Sequence, residues 1–571
     1  MEWIKNPRPA LGKMKPVEDY TEFVSAMTRD IPAAAETWRC SELTLKAEKT
    51  YDDPMAVSVD LELKKGDRVL IIPGFYDLDN LWRVRFALPE TGTWRYRVLA
   101  SVNDPGLAAE GEILCTPYTG DLAIYRHGFV KTVPGCRHFV YDDGTPFFYL
   151  GDTHWNFLQE EYDEPGDRAG EIQTTSHFKY IINKRVAQGY TVYQTEPIGA
   201  PFEVNAGFNE KTIRGFQQAD QYFRYIADQG MVHANAQFFF ASQMAEMIKS
   251  PEYPKNLIRA ARYWVARYGA YPVMWTLAQE IDQDAYFLFV MAKDPTLEDL
   301  YDEYPYITLM KELAKNDAYH HPLSAHQQGC SRYWQGTSAR NSSFRAVPEH
   351  TWWASQWKPE YGAQFDFDPP LDYWLNGKKK PAVVYEGCYD HLWTNEYGAR
   401  VQGWFGFLNG MYGYGYGAID LWLYRGQYDL NNPTYRNGVV VSVEEKHETW
   451  GQAIEYPAGY QCGYLRDFFE QYEWWNLTPR FRDNRWFVPE ANFSLATIGN
   501  DLYILMVYDR ENMKTGKLAG LDPDAAYAAY WFDPRTGDRS EAFDVNKTNG
   551  TEYEIGERPT LGDWVLTVYK K

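Results

Sequence analysis

Two glutamates in this sequence each follow a short apolar run. Residues 273–277 (VMWTL) lead to Glu280 three positions later, and residues 382–385 (AVVY) lead directly to Glu386. At the rim of an apolar cavity, burial can keep one carboxyl group protonated while its neighbour stays ionised. Such a pair can supply a general acid together with a nucleophile or base. A single glutamate in this position more often forms a salt bridge, so the hypothesis rests on the pair.

Further polar and aromatic side chains follow other apolar runs in the same way. Polar side chains hydrogen-bond hydroxyl groups, and indole and phenol rings stack on the apolar faces of sugar rings. The candidates for substrate binding selected on this basis are Asp152, Trp155, Gln194, Glu196, Asn235, His326, Trp353, Tyr389 and Trp422. Trp, Tyr and Phe make up 17% of the chain, and most of them are expected in hydrophobic cores instead.

A repeated pattern of helix, glycine and strand is expected to position these residues. Gly189, Gly230 and Gly269 each end an amphipathic segment and precede an apolar run, at intervals of 41 and 39 residues. Each occupies the position after a helix where positive φ is favoured. Eight such units between residues 147 and 418 predict an α/β fold of the (β/α)8 TIM-barrel type. No GxGxxG motif follows the first strand, which argues against a dinucleotide-binding sheet.

Segments with alternating apolar and polar residues flank this region on both sides. Residues 55–63, 82–88 and 94–98 alternate with period two, with a turn at 89–92, and residues 502–507 and 564–568 return to strand-like patterns. We therefore predict an N-terminal β-sandwich at 1–125, the barrel at 126–480 and a smaller C-terminal β-sandwich at 481–571.

The composition excludes several classes of function. The net charge of −21 would repel nucleic-acid phosphates and anionic membranes, so neither is an expected partner. No apolar run approaches the ~20 residues that span a bilayer, and the N-terminal residues lack the apolar segment of a secretory signal. Six cysteines without CxxC or metal-ligand spacing indicate a reducing compartment. We therefore expect a cytoplasmic protein that uses neither a metal nor a cofactor.

Short motifs in a fixed order resemble a known group of enzymes. Residues 74–77 (GFYD), 82–86 (WRVRF) and 91–94 (TGTW) are similar to a β-sandwich found on bacterial glycosidases. Residues 138–155, the two glutamates and the Tyr- and Gly-rich eighth strand resemble the barrel of apiosidase-like glycoside hydrolases. Residues 531–537 (WFDPRTG) and 562–564 (GDW) are similar to a small sandwich called a collagen-binding domain. Nothing in this acidic segment indicates collagen recognition.

The resemblance implies a (β/α)8 glycosidase whose two carboxylates follow strands four and seven, at Glu280 and Glu386. One feature departs from the family, in which the fourth strand tends to end Gly-Gly-Asp. This chain has Ala278-Gln279-Glu280 there. The reaction class is therefore expected to hold, whereas the sugar need not be apiose.

These observations lead us to expect a retaining, exo-acting glycoside hydrolase of carbohydrate metabolism, with Glu280 as general acid/base and Glu386 as nucleophile. Its substrate would be a small glycoside or oligosaccharide with a terminal sugar that is apiose-like, arabinofuranosyl or related. One alternative is a non-catalytic carbohydrate-binding protein on the same scaffold. Another is an inverting glycosidase that uses Glu196. The sequence leaves open whether the chain forms a homo-oligomer.

Overall fold

The computed structural model describes residues 3–6, 26–155, 176–195, 208–236, 241–278, 280–281, 293–300, 304–327, 338–356, 366–391, 394–422 and 450–571. In these residues a closed parallel sheet lies between two mainly antiparallel groups of strands along the chain. This arrangement confirms the predicted barrel with a β-sheet region on each side.

The first group consists of a five-stranded and a three-stranded sheet that share one hydrophobic core. Alternation places Val59, Leu61 and Leu63 in this core, because successive side chains of a strand face opposite sides. The strands up to this point are β1 (Trp3–Ile4), β2 (Ala34–Glu36), β3 (Ser41–Lys46), β4 (Val59–Lys65), β5 (Arg68–Pro73), β6 (Phe75–Tyr76), β7 (Leu81–Phe86), β8 (Gly92–Ala100) and β9 (Glu110–Thr116). The five-stranded sheet has the order β2-β9-β8-β4-β5, and the other has β3-β7-β6.

The barrel follows a small antiparallel sheet of β10 (Val130–Thr132), β11 (Phe139–Tyr141) and β12 (Pro146–Phe147). Its strands are β13 (Tyr149–His154), β14 (Val192–Thr195), β15 (Val232–Ala236), β16 (Val273–Thr276), β17 (Leu323–Ser324), β18 (His326–Gln327), β19 (Trp353–Gln356), β20 (Ala382–Glu386) and β21 (Gly413–Tyr416). All neighbouring pairs are parallel. Strand β17 pairs with β16 and β18 pairs with β19, with Ala325 between the two pieces. The two pieces together form the fifth barrel strand, so the sheet closes into an eight-stranded barrel.

Helices connect the barrel strands, and the three predicted glycines follow the ends of three of them. Gly189 and Gly230 have φ of 97° and 85°, as expected after a helix. The same prediction is wrong for Gly269, whose φ is −68°. A Cβ atom at Gly269 would lie 2.8 Å from the carbonyl oxygen of Val265, so the close approach of backbone explains the glycine there. The described α-helices are α1 (Ala123–Arg126), α2 (His177–Gln188), α3 (Glu210–Asp228), α4 (Ala241–Lys249), α5 (Lys255–Tyr268), α6 (Pro305–Asn316), α7 (Asp368–Asn376), α8 (Glu396–Leu408), α9 (Ile419–Trp422), α10 (Trp450–Ala453) and α11 (Pro457–Phe469).

Side chains along the barrel strands alternate between the barrel interior and the layer of helices. In β13, Tyr149 belongs to the interior cluster, whereas Leu150 packs with the helices. Phe139 contacts the rings of Tyr149 and Trp352 at centroid distances of 5.7 and 5.6 Å, which fills the amino-terminal end of the barrel. Residues at the carboxyl ends of the strands therefore line the opposite end, where the active sites of such barrels form.

The last group of strands forms a sheet in the order β1-β28-β27-β31-β25-β24-β22, with β29 also paired to β27, and a second sheet of β23-β26-β30. Their bounds are β22 (Thr478–Pro479), β23 (Phe487–Pro489), β24 (Phe493–Ile498), β25 (Leu502–Val507), β26 (Gly516–Leu518), β27 (Tyr527–Phe532), β28 (Arg539–Ser540), β29 (Phe543–Asp544), β30 (Tyr553–Glu554) and β31 (Trp564–Lys570). Strand β1 pairs with β28, so residues 3–4 lie in the C-terminal sheet rather than with the sheets of residues 34–116. No helix in the described ranges is long and apolar enough to cross a membrane.

A ring of six charged side chains joins the N-terminal sheets to the barrel helices. In order around the ring, with each ion pair between 2.6 and 2.9 Å, it runs through Glu42, Arg83, Asp77, Arg267, Asp220 and Arg85. Burial alone would raise the pKa of Asp220, but Arg267 and Arg85 outweigh burial and lower this pKa to about 2. The stabilisation from Asp220 is therefore complete above the ordinary carboxyl pKa of about 4, and it is lost as pH falls towards 2.

We predict that Asp220→Ala lowers the free energy of unfolding by about 3–5 kcal/mol at neutral pH, because it leaves the three buried guanidinium groups of the ring with only two carboxylates. The measurement is denaturant unfolding followed by tryptophan fluorescence. The matched control is Glu210→Ala, which removes an exposed ion pair with Arg214 on the same helix and should change stability by no more than about 0.5 kcal/mol. Equal effects of the two substitutions would contradict a structural role for the ring.

Candidate active site

Glu386 is directed towards the barrel interior by an irregularity in strand pairing. Ser355 lies opposite Val384, but the next residue of β19, Gln356, lies opposite Glu386, so Tyr385 is an extra residue in β20. A bulge of this kind turns two successive side chains to the same side of the sheet. Accordingly, the Tyr385 ring lies 5.0 Å from the ring of His326, and Glu386 approaches the same imidazole. Regular alternation would instead send Glu386 into the helix layer.

One oxygen of Glu386 is held by a chain of two hydrogen bonds. Glu386 is 3% exposed, and its Oε1 accepts a hydrogen bond of 2.7 Å from the hydroxyl of Tyr389. The Tyr389 oxygen accepts a hydrogen bond of 2.6 Å from Nε1 of Trp155, just after β13. Burial and then the negative charge of Glu386 raise the pKa of Tyr389 well above its usual range. The phenol therefore remains a hydrogen-bond donor at every physiological pH.

The other oxygen of Glu386 faces His326. Glu386 Oε2 lies 3.3 Å from His326 Nε2, and His326 is 1% exposed. Neither of these two buried atoms makes a hydrogen bond within the described part of the chain. A buried carboxylate oxygen without a donor is costly, and such atoms are concentrated where a ligand or a reacting group completes the site.

Glu280 reaches the same place from the end of the fourth strand. Its φ is 54°, a left-handed conformation that costs a residue other than glycine about 1 kcal/mol or more. Its Oε1 accepts a hydrogen bond of 2.8 Å from Nε2 of Gln356, the residue paired opposite Glu386. The charge of Glu280 also contributes to the raised pKa of Tyr389, after burial and the effects of Glu386. The structure thus brings Glu280 and Glu386 together with Trp155, Tyr389 and His326.

Several other residues that the sequence suggested for substrate binding are used by the protein itself. Asp152 pairs with Arg185 at 2.8 Å and with His154, and all three side chains are buried. Asn235 accepts a hydrogen bond from the indole of Trp264, a residue of α5. The indole of Trp353 donates to the carbonyl of Gly377 after α7. The structure does not bring these three to the glutamates, because each is one position out of phase with the inward-facing residues of its strand.

Gln194 lies inside the barrel, where its amide accepts from Tyr149 and donates to Thr153 and to the carbonyl of Tyr385. Glu196 lies outside the described residues, and so does the side chain of Trp422 at the end of α9. Gln356 is the site residue that the sequence reasoning missed. Its signal was available, since it lies at an even spacing from Trp352 and Ala354, which face the barrel interior.

The site has the donors and acceptors of acid–base and nucleophilic chemistry. In the described ranges no group of three or more His, Cys, Asp or Glu side chains is placed to hold a metal ion. Two carboxylates meet at the carboxyl ends of the barrel strands, and one of them is buried and accepts a hydrogen bond from a neutral phenol. This arrangement suits protonation of one atom and attack on its neighbour.

Comparison with known proteins gives two matches to family models. A model described as "Apiosidase-like, catalytic domain" matches residues 134–476, and the domain of unknown function DUF5060 matches residues 34–101. No curated protein matches the chain. A solved structure from Bacteroides vulgatus, named as a glycoside hydrolase, has 17% identity and a TM-score of 0.65, covering 94% of this chain and 100% of that one.

A second Bacteroides vulgatus structure, named as a glycoside hydrolase of family 5, has 15% identity and a TM-score of 0.56. This likeness covers 78% of the present chain and 93% of the other. At these identities the two solved structures establish a shared fold.

We predict a loss of stability on neutralising one buried carboxylate, Asp152, and no loss on neutralising another, Glu386, because their partners differ. Asp152→Asn should lower the free energy of unfolding by about 3 kcal/mol or more, because it leaves the buried Arg185 without its counter-charge. Glu386→Gln should leave it unchanged or raise it, since a buried charge with one unbonded oxygen is removed. Thermal unfolding of both variants checks this, and a loss in Glu386→Gln as large as in Asp152→Asn would contradict it.

Proposed function

The chain belongs to the apiosidase-like glycoside hydrolase family, and we propose that it is a retaining, exo-acting glycosidase that uses Glu280 and Glu386. The observation that carries the assignment of residues is the environment of Glu386. This carboxylate is buried, one oxygen is held by Tyr389, and the other makes no hydrogen bond in the described part of the chain. Gln356 connects the two glutamates, since it is paired opposite Glu386 and donates a hydrogen bond to Glu280.

In the first step Glu280 donates its proton to the glycosidic oxygen while the bond between this oxygen and the anomeric carbon breaks. Glu386 uses its lone pair to form a bond with the anomeric carbon, and the protonated aglycone leaves. In the second step Glu280 takes a proton from water, whose oxygen attacks the anomeric carbon. The ester bond to Glu386 then breaks, which restores both carboxyl groups and releases the sugar with its original anomeric configuration.

Tyr389 and Trp155 support the role of Glu386 as nucleophile. A hydrogen bond from a neutral phenol favours the ionised carboxylate and fixes its direction without adding a positive charge. The hydrogen bond from Trp155 in turn fixes the phenol oxygen. His326, whose Nε2 lies 3.3 Å from Glu386 Oε2, offers a further group for hydrogen bonding to a sugar hydroxyl.

The substrate that we propose is a small glycoside or oligosaccharide with a terminal apiose-like, arabinofuranosyl or related sugar. The longer acid at Glu280 supports a sugar other than apiose, since the family tends to have aspartate there. We also propose a cytoplasmic location, which is supported by Cys40, Cys115, Cys136 and Cys462, since none of these four forms a disulfide in the described part of the chain. The strongly negative charge supports the absence of a nucleic-acid partner.

The test uses Glu280→Gln and Glu386→Gln on a panel of aryl glycosides, namely apioside, arabinofuranoside, galactoside, glucoside, xyloside and fucoside. On the sugar that the wild type cleaves, we expect each variant to lose at least about 10³-fold in kcat/KM, because proton transfer or covalent attack is removed. Glu210→Gln, on the exposed face of α3, is the matched control and should keep full activity.

The anomeric configuration of the first-formed product, followed by NMR, separates the remaining possibilities. Retention with an inactive Glu386→Gln variant is the expected result. An inverted product would favour a mechanism that uses Glu196, and full activity in Glu386→Gln would end the assignment of the nucleophile.

A further inference from the structure

We infer that Gln356 is a positioning residue for the general acid, and that it makes the proton of Glu280 available to the leaving group. This inference rests on the proposed function of Glu280. Gln356 ends β19, is 3% exposed, and donates a hydrogen bond of 2.8 Å from Nε2 to Glu280 Oε1. No property of the proposed mechanism by itself requires an amide at this position.

The sheet does not fix the direction of the Glu280 side chain, so the hydrogen bond from Gln356 matters for it. Glu280 lies beyond the last residue of β16, so the alternation of a strand no longer sets its side chain. Its backbone has a positive φ, and its side chain is only partly buried. A long carboxylate side chain on such a residue has several rotamers, and the hydrogen bond from Gln356 selects one of them.

Gln356 also links the positions of the two carboxylates. It lies directly opposite Glu386 in the pairing of β19 with β20, at the bulge that turns Glu386 inwards. Strand pairing therefore fixes the backbone of Gln356 next to the proposed nucleophile, Glu386. Its side chain donates a hydrogen bond to the proposed acid, Glu280. Gln356 thereby contributes to the separation of the two carboxyl groups, which decides how they flank one bond.

An amide is chemically suited to holding an acid that must both give and take a proton. It is uncharged at every pH, so it favours the ionised form of Glu280 less strongly than a lysine or arginine would. Its N–H donates to Oε1, which favours placing the proton of Glu280 on the other oxygen, Oε2. Removing it should disturb acid catalysis more than nucleophilic attack.

The experiment compares leaving groups, because proton donation matters most when the leaving group is a strong base. The substrates are 2,4-dinitrophenyl, 4-nitrophenyl and phenyl glycosides of the sugar that the wild type cleaves. For Gln356→Met we expect kcat/KM to fall about 10- to 100-fold with the phenyl glycoside and less than about threefold with the dinitrophenyl glycoside. The basic limb of its pH profile should move up by about one pH unit, since a donor to the carboxylate is lost.

Two further variants keep the result decisive. Gln356→Glu preserves the shape and adds a third carboxylate, which should move the basic limb to still higher pH. The matched control is Gln327→Met on the neighbouring strand, whose amide donates to the carbonyl of Ser338. Gln327→Met should lower kcat/KM by the same factor for all three substrates, even if the stability of the protein falls.

Equal losses for all leaving groups in Gln356→Met, with an unmoved basic limb, would overturn the inference. Glu280→Gln in the same assay tests the function on which it rests and should show the steepest dependence on the leaving group. If Glu280→Gln shows no such dependence, the proposed acid is wrong. If kcat/KM depends on the leaving group in Glu280→Gln but not in Gln356→Met, only the proposed role of Gln356 is wrong.

Discussion

Closure of the parallel sheet is the constraint on which the rest of this structure depends. The fifth strand completes it in two pieces, one paired to each neighbouring strand, with Ala325 between them. Because all barrel strands run in the same direction, their carboxyl ends meet at one rim, while Phe139 fills the opposite end. Trp155, Glu280, His326, Gln356 and Glu386 come from five different strands and meet for this reason.

Within that regular frame, two local irregularities place the chemistry. The extra residue Tyr385 turns Glu386 from the helix layer into the interior, and the positive φ of Glu280 redirects the chain after β16. Both features cost free energy that a regular strand would not, and costs of this kind persist where the surrounding structure holds them for function. The hydrogen bonds from Tyr389 to Glu386 and from Gln356 to Glu280 are the contacts that hold the two carboxylates.

The barrel was predictable from the sequence because its signal repeats. Gly189 and Gly230 end helices before strands, and apolar runs of similar length recur through the middle of the chain. The two glutamates could be selected because each follows such a run. The selection of Asp152, Asn235 and Trp353 shows the limit of this reasoning, since the end of a strand says nothing of the face to which a side chain belongs. Counting in twos from Trp352 would have found Gln356, whereas the bulge at Tyr385 depends on strand pairing, which one sequence does not reveal.

The central claim is that Glu386 forms a covalent bond with the sugar, and mechanism-based trapping tests it most directly. The wild-type enzyme is incubated with a 2-deoxy-2-fluoro glycoside of the cleaved sugar that carries dinitrophenolate as leaving group. It is then digested and analysed by mass spectrometry. A fluorosugar ester on Glu386 is the predicted result. A label on another carboxylate such as Glu196, or turnover to an inverted sugar with no adduct, would contradict the account.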